Sequence, residues 1–197
     1  MIQDDVVRLL REVRPVPGAE PIQIVPATEE ELNAFEQAHG PMPPELKWWF
    51  RTCNGAAVNP GGLESLFPKK GAGPVCLDWY FKQYPHWKAA GWFPIGGDGN
   101  GDLYILNAGI TIPSTKTHPV CFLDQQDFSF LTYAMASGLW KFLYCLLKTE
   151  VVRGGGKDLL PWPFDKRTTL AIDPNLVECT AIPLPWEKDD FDSPLPN

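Results

Sequence analysis

Helices first, then a run of antiparallel strands, then a closing helix: this order predicts an α+β protein. Three stretches carry the prediction. Thr28-Glu29-Glu30-Glu31 is a capping box that opens a helix. Trp92 to Leu106 places two apolar segments around a loop of Gly, Asp and Asn, the pattern of a tight antiparallel hairpin. Leu139, Phe142, Leu143, Leu146 and Leu147 repeat at helical spacing and form one apolar stripe.

Each element follows from local chemistry. Val6, Leu9, Leu10 and Val13 predict a helix over 4–13, stopped by Pro15 and Pro17. Ile22 to Val25 reads as a short edge strand or an extended linker. The capping box predicts a helix from Glu29 to His39 with Leu32 and Phe35 inward, ended by Gly40-Pro41. Pro43-Pro44 opens another, from about Glu45 to Cys53. Leu46, Trp49, Phe50 and Cys53 share its inner face, and Asn54-Gly55 suits a left-handed cap. A loop over 56–74 is expected, anchored by Leu63, Leu66 and Phe67. Leu77 to Ala90 predicts a helix interrupted at Pro85.

In the hairpin, Asn100-Gly101 accepts positive φ at little steric cost. Leu103 to Leu106 is apolar at every position, which predicts a central strand covered on both faces. Pro119 to Leu123 is a further strand, with Asp124 to Asp127 as its turn. Aromatic and β-branched residues favour a strand over 130–135. A helix then runs from Ser137 or Gly138 through Lys148. After Gly154-Gly155-Gly156 the composition turns rich in Pro and Trp. Residues 1–150 are therefore read as one domain, and 151–197 as an extension packed on it.

The totals narrow the function classes. A net charge of -7 gives no clustered Lys and Arg for phosphate, so nucleic acid is not an expected partner. An acidic surface suits a basic protein instead. The 5 cysteines are widely spaced without a CxxC pair, which predicts neither a zinc site nor a redox motif. The acidic start lacks the pattern of a signal peptide, and no apolar run is long enough for a membrane span. A cytoplasmic protein is the expectation.

Known site patterns fit poorly. Asp98-x-Asn100-x-Asp102 imitates the first half of a calcium loop, but Leu103 and Gly109 stand where that loop needs Gly and Glu. The Gly96 to Gly101 run leads into a strand, whereas a phosphate cradle needs a helix N-terminus. His39, His86 and His118 form no spaced pair. Only His86, beside Tyr84 and Trp87, suggests a site. No catalytic residue, cofactor or metal is expected.

Three segments together resemble the SMI1/KNR4 (SUKH) family. In the first, Met42-Pro43, Leu46, Trp49-Phe50 and Asn54-Gly55 correspond to the family's Leu-Pro, Tyr, Phe-Leu and Asn-Gly. The second is the hairpin, with its aromatic-x-Pro-Ile-Gly-x-Asp-x-x-Gly-Asp-x-Tyr signature over Trp92 to Tyr104. The third is Ala136 to Leu143, similar to the start of the family's last helix, with Gly138 and Leu139 replacing its Ser and Phe. The resemblance covers about residues 28–148. It implies a twisted antiparallel sheet with helices packed against it. Bacterial members resemble immunity proteins that bind and neutralise toxins, often nucleases, and fungal members are linked to cell-wall (glucan) synthesis. Both roles are protein binding.

That resemblance, the acidic charge and the surplus aromatics nominate a protein-binding face. Its expected contacts are Trp48, Trp79, Tyr80, Trp87, Asp98 and Asp102. Trp48 adjoins the inward Trp49 on one helix, so it lies at the border of the buried stripe, flat on the surface or as an anchor for a partner. Two readings compete with a toxin-binding immunity protein. One is a regulatory scaffold of cell-wall synthesis. The other is a small enzyme or ligand binder with an aromatic pocket closed around His86. The sequence sets neither the oligomeric state nor the partner.

Overall fold

The computed structural model describes residues 2–13, 23–58, 61–69, 75–153, 162–163 and 165–187. Helix α1 spans Ile2–Glu12, α2 Glu29–His39 and α3 Pro44–Thr52. The capping box forms as its sequence dictates. The Thr28 hydroxyl accepts from the Glu31 N–H at 3.1 Å, and the Glu31 carboxylate accepts from the Thr28 N–H at 2.9 Å. Gly40, at φ 84, closes α2. Pro15, Pro17 and Ile22 lie outside the described residues. The stretch from Gln23 to Thr28 is extended but joins no sheet; the Asn54 N–H donates to Val25 O at 2.8 Å.

The expected loop over 56–74 holds two short strands, β1 at Ala56–Ala57 and β2 at Gly62–Leu63. They have no apolar period to read; their pairing with the hairpin makes them strands. Helix α4 is Leu77–Gln83 and α5 is Pro85–Ala90, so Pro85 does break the aromatic helix. Strands β3 (Trp92–Gly97), β4 (Leu103–Asn107), β5 (Val120–Leu123) and β6 (Tyr133–Ala136) follow. All six strands pair antiparallel in chain order. Helix α6 is Leu139–Arg153, longer than its apolar stripe suggests, and α7 is Lys166–Ile172. Two 3-10 turns, Pro174–Glu178 and Pro185–Glu187, close the described chain.

Side chains alternate across β4 and separate two cores. Tyr104 and Leu106 join the cluster built with α1, α2, α3 and α6. Leu103 and Ile105 point the other way, into a cluster with Trp87, Cys121 and Ala134. Leu176, Cys179, Ile182 and Leu184 complete that second cluster. Every β4 residue is thereby buried, as its unbroken apolar run predicts. The edge strand β6 is covered too, since the Ala134 N–H donates to Pro183 O at 2.9 Å.

A polar clamp ties this last segment to the start of α6. Asp173, 2% exposed, accepts from both the N–H and the hydroxyl of Ser137 at 2.6 Å. Lys141 Nζ reaches the same carboxylate at 2.7 Å and Asn175 Oδ1 at 3.0 Å. Buried charge needs such partners, and here each is supplied.

Candidate functional site

The signature hairpin builds a recess at one end of the second face. Pro94 lacks an N–H and sits beside a bulge at Ile95, where strand pairing slips by one residue. The bulge leaves Ile95 O free to accept from the Glu64 N–H at 3.0 Å, which brings β2 alongside β3. That approach is too close for side chains. A Cβ on Gly61 would stand 1.8 Å from Gly97 O, and one on Gly96 would stand 2.4 Å from Gly62 O.

The turn between β3 and β4 is held by its aspartates. Asp98 Oδ1 accepts from the N–H groups of Asn100 at 2.8 Å and Asp102 at 3.2 Å. Its other oxygen accepts from the Asn100 side chain at 3.1 Å. Gly99 and Gly101 take the positive φ values, 86 and 111, and Asn100 does not, a correction to the expectation for Asn100-Gly101. Likewise Gly55 at φ 83 is the left-handed residue after α3. Asn54 is instead buried, and its Oδ1 accepts from the Leu66 N–H at 2.8 Å.

Glu64, Tyr80 and Asp102 converge on a cavity of about 390 Å³ walled by Gly61, Gly62 and Gly97. Burial pushes the Glu64 carboxyl up to about 7. Burial also raises Asp102, helped by the charges of Asp98 and Asp124 and opposed by the hydrogen bond it accepts from the Gln125 N–H at 2.8 Å. The Tyr80 hydroxyl is pushed well above its ordinary value by burial and by the nearby Glu64.

The six residues expected as partner contacts do not form one patch. Tyr80 and Asp102 share the cavity. Trp79 is half-buried and packs edge-on against Tyr80, ring centres 5.2 Å apart. Asp98 spends both oxygens inside its own loop. Trp87 is 0% exposed, stacked on Tyr84 at 4.4 Å, and offers a partner no surface. Its apolar bulk fills the second core, although its indole N–H has no hydrogen-bond partner among the described residues. Trp48 lies with the first core, 42% exposed and edge-on to Trp140 at 4.4 Å. There it lines a separate groove with Val7, Arg8 and Arg11 of α1.

Glu64 is the site residue that sequence reasoning missed. Its signal was the adjoining Gly61-Gly62 pair, which marks a close backbone approach once the hairpin glycines are matched to it.

The histidines lie apart from this cavity. His39 Nε2 is 2.9 Å from Asp78 Oδ1, and Lys82 donates to Asp78 Oδ2 at 2.7 Å. His39 at the end of α2 thus meets a carboxylate of α4. The His118 ring Nδ1 is 2.8 Å from Ile110 O, and the His118 backbone N–H donates to the Glu45 carboxylate at 3.2 Å. His86 is exposed at the start of α5. All five cysteines are free and buried. Among the described residues no group of His, Cys, Asp and Glu is placed to hold a metal ion, and no helix is long and apolar enough to cross a membrane.

No curated protein matches the chain. The profile of the SMI1 / KNR4 family (SUKH-1) does, over residues 26–144, and these residues run from the turn before α2 to the first turns of α6. The match takes in the bulged hairpin, the Asn54 bond and the helix start that Asp173 clamps, and at more than half of the sequence it makes the chain a member of the SMI1/KNR4 (SUKH-1) family.

Proposed function

We propose that this protein is a non-catalytic protein-binding module, an immunity protein that binds a toxin and neutralises it by covering its working surface. Family membership supports the protein-binding class. The observation that carries the reading further is the acidic recess at the signature hairpin, in a chain of net charge -7. Toxins that act on nucleic acid present a basic surface, because phosphate binding demands one. A recess lined by Glu64 and Asp102 complements such a surface and speeds its capture. The contacts assigned to the partner are Glu64, Tyr80 and Asp102 in the recess, with Trp79 and Asp98 at its rim. Trp48 belongs to a different side of the molecule and is not part of this docking face.

The competing enzyme reading required a pocket closed around His86, and an exposed His86 removes its premise. The test is a reconstitution. The chain is mixed at micromolar concentration with the toxin domain encoded beside its gene. A stable complex by size exclusion, with loss of the toxin's activity, is the expected result. No complex with that neighbour overturns the reading.

A further inference from the structure

We infer that the glycine-walled cavity receives the cationic side chain of a lysine or arginine carried by the protein partner. The inference rests on the protein-binding reading above and specifies what that partner must present.

Three observations carry it. The charged groups that line the cavity are of one sign, Glu64 and Asp102, with no Lys or Arg among its described lining residues. Tyr80 lines it while only 7% exposed, and its hydroxyl has no hydrogen-bond partner among the described residues. That oxygen keeps some contact with solvent in the cavity, where an arriving donor can replace water. Finally, the Glu64 side chain accepts no hydrogen bond from the described residues, and burial accounts for its raised pKa. A carboxylate without donors is costly to bury. An ammonium brings three N–H donors and a guanidinium five, enough for a carboxylate and a phenol together. The volume of about 390 Å³ admits either side chain. A metal ion fits less well, since no third carboxylate, His or Cys joins the set among the described residues.

The cavity also sets a pH dependence. The titratable groups facing Glu64 are Cys76 and Tyr80 at α4 and Asp102 from the hairpin turn. Burial raises Cys76 and Tyr80, so both are neutral near pH 7. Glu64, near 7, is the group that changes charge. A cation binds its ionised form and expels the proton. Affinity therefore climbs as pH rises toward 7 and levels off above it.

The full chain, isotopically labelled, is titrated by NMR with Nα-acetyl-lysine amide and Nα-acetyl-arginine amide at pH 8 and pH 6. Nα-acetyl-citrulline amide serves as the neutral control, and spermidine as a free cation. Shifts at Gly61 to Glu64 and Gly97 to Leu103 are expected with the two cationic amino acids only, at a Kd on the order of millimolar. Binding is expected to weaken about fivefold at pH 6 and about tenfold in Glu64→Gln, with Tyr80→Phe intermediate. Equal shifts with citrulline, shifts elsewhere, or an unchanged Glu64→Gln overturn the inference. Tighter binding of spermidine than of the amino acids assigns the cavity to a free polyamine and overturns it too. If the neighbouring toxin binds wild type and Glu64→Gln equally, this inference fails while the immunity reading stands. If the toxin binds neither, the immunity reading fails first.

Discussion

The two faces of the sheet are buried by different means. One is sealed by regular helices, with Trp49, Phe50 and Phe142 each no more than 1% exposed. The other is sealed by one buried tryptophan, Trp87, and by a strap of short turns carrying Leu176, Cys179, Ile182 and Leu184. Both reach full burial. Hydrophobic stabilisation depends on the area removed from water and is indifferent to the regularity of the cover. What differs is how the cover is held. Helices are held by their own ladders, whereas the strap relies on Asp173 and on the Pro183 carbonyl.

The largest expected effect comes from removing the strap. A chain ended after Arg153 leaves Ile105, Cys121 and Leu123 without their cover, and is expected to lose cooperative thermal unfolding and bind a hydrophobic dye. Retention of a sharp transition would mean the helical face alone is sufficient. Next are paired core truncations. Phe142→Ala is expected to cost about 3–5 kcal/mol and Leu176→Ala about 2–5 kcal/mol in urea unfolding. A loss below about 1 kcal/mol for Leu176→Ala would show the strap to be loosely packed despite its burial. Asp173→Ala removes the acceptor shared by Ser137 and Lys141, and is expected to cost about 3 kcal/mol, more than the capping change Thr28→Ala at about 1 kcal/mol. The reverse order would put the polar clamp below an ordinary helix cap.

A smaller effect distinguishes the open corner of the second face. Burial raises the folded-state pKa of Glu64, so the native state holds its proton to higher pH than the unfolded chain does. Its stability penalty is absent below about pH 4.5, grows as pH rises, and is complete above about 7. Glu64→Gln is therefore expected to be more stable than wild type at pH 8, by about 2 kcal/mol, with the gap closing at pH 4. On the helical face Asp78 behaves oppositely. Burial pushes its carboxyl up, but the hydrogen bonds from Lys82 and His39 outweigh this and leave it lowered. Its contribution is present above the ordinary carboxylate range and is lost as pH falls through the folded value. Both mutants should thus differ from wild type near neutral pH and converge on it in acid, Asp78→Asn from the less stable side and Glu64→Gln from the more stable side, with the Glu64 gap closing first as pH falls.

The helical face was legible because its signals are local. A capping box, a proline at a helix start and a repeat of apolar residues every three or four positions act within one turn. The hairpin was legible for the same reason, and β4 as a central strand because its run never alternates. The second face was not. Two-residue strands such as Ala56–Ala57 have no period, and become strands only when Gly62 and Leu63 find Gly97 and Gly96. Trp87 reads as a contact residue because an aromatic cluster looks alike whether it fills a core or meets a partner. Glu64 passed unnoticed because its altered acidity comes from residues distant in sequence. The sequence also carries an acidic run from Glu187 to Asp192, which lies outside the described residues beyond Glu187.

The strap has a consequence for how the protein is made. Residues 173–184 leave the ribosome after every strand they cover, so the part of the sheet beneath them stays uncovered until they are made. During that interval Leu103, Ile105 and Leu123 lack part of their final cover, which is complete only when Asp173 reaches Ser137.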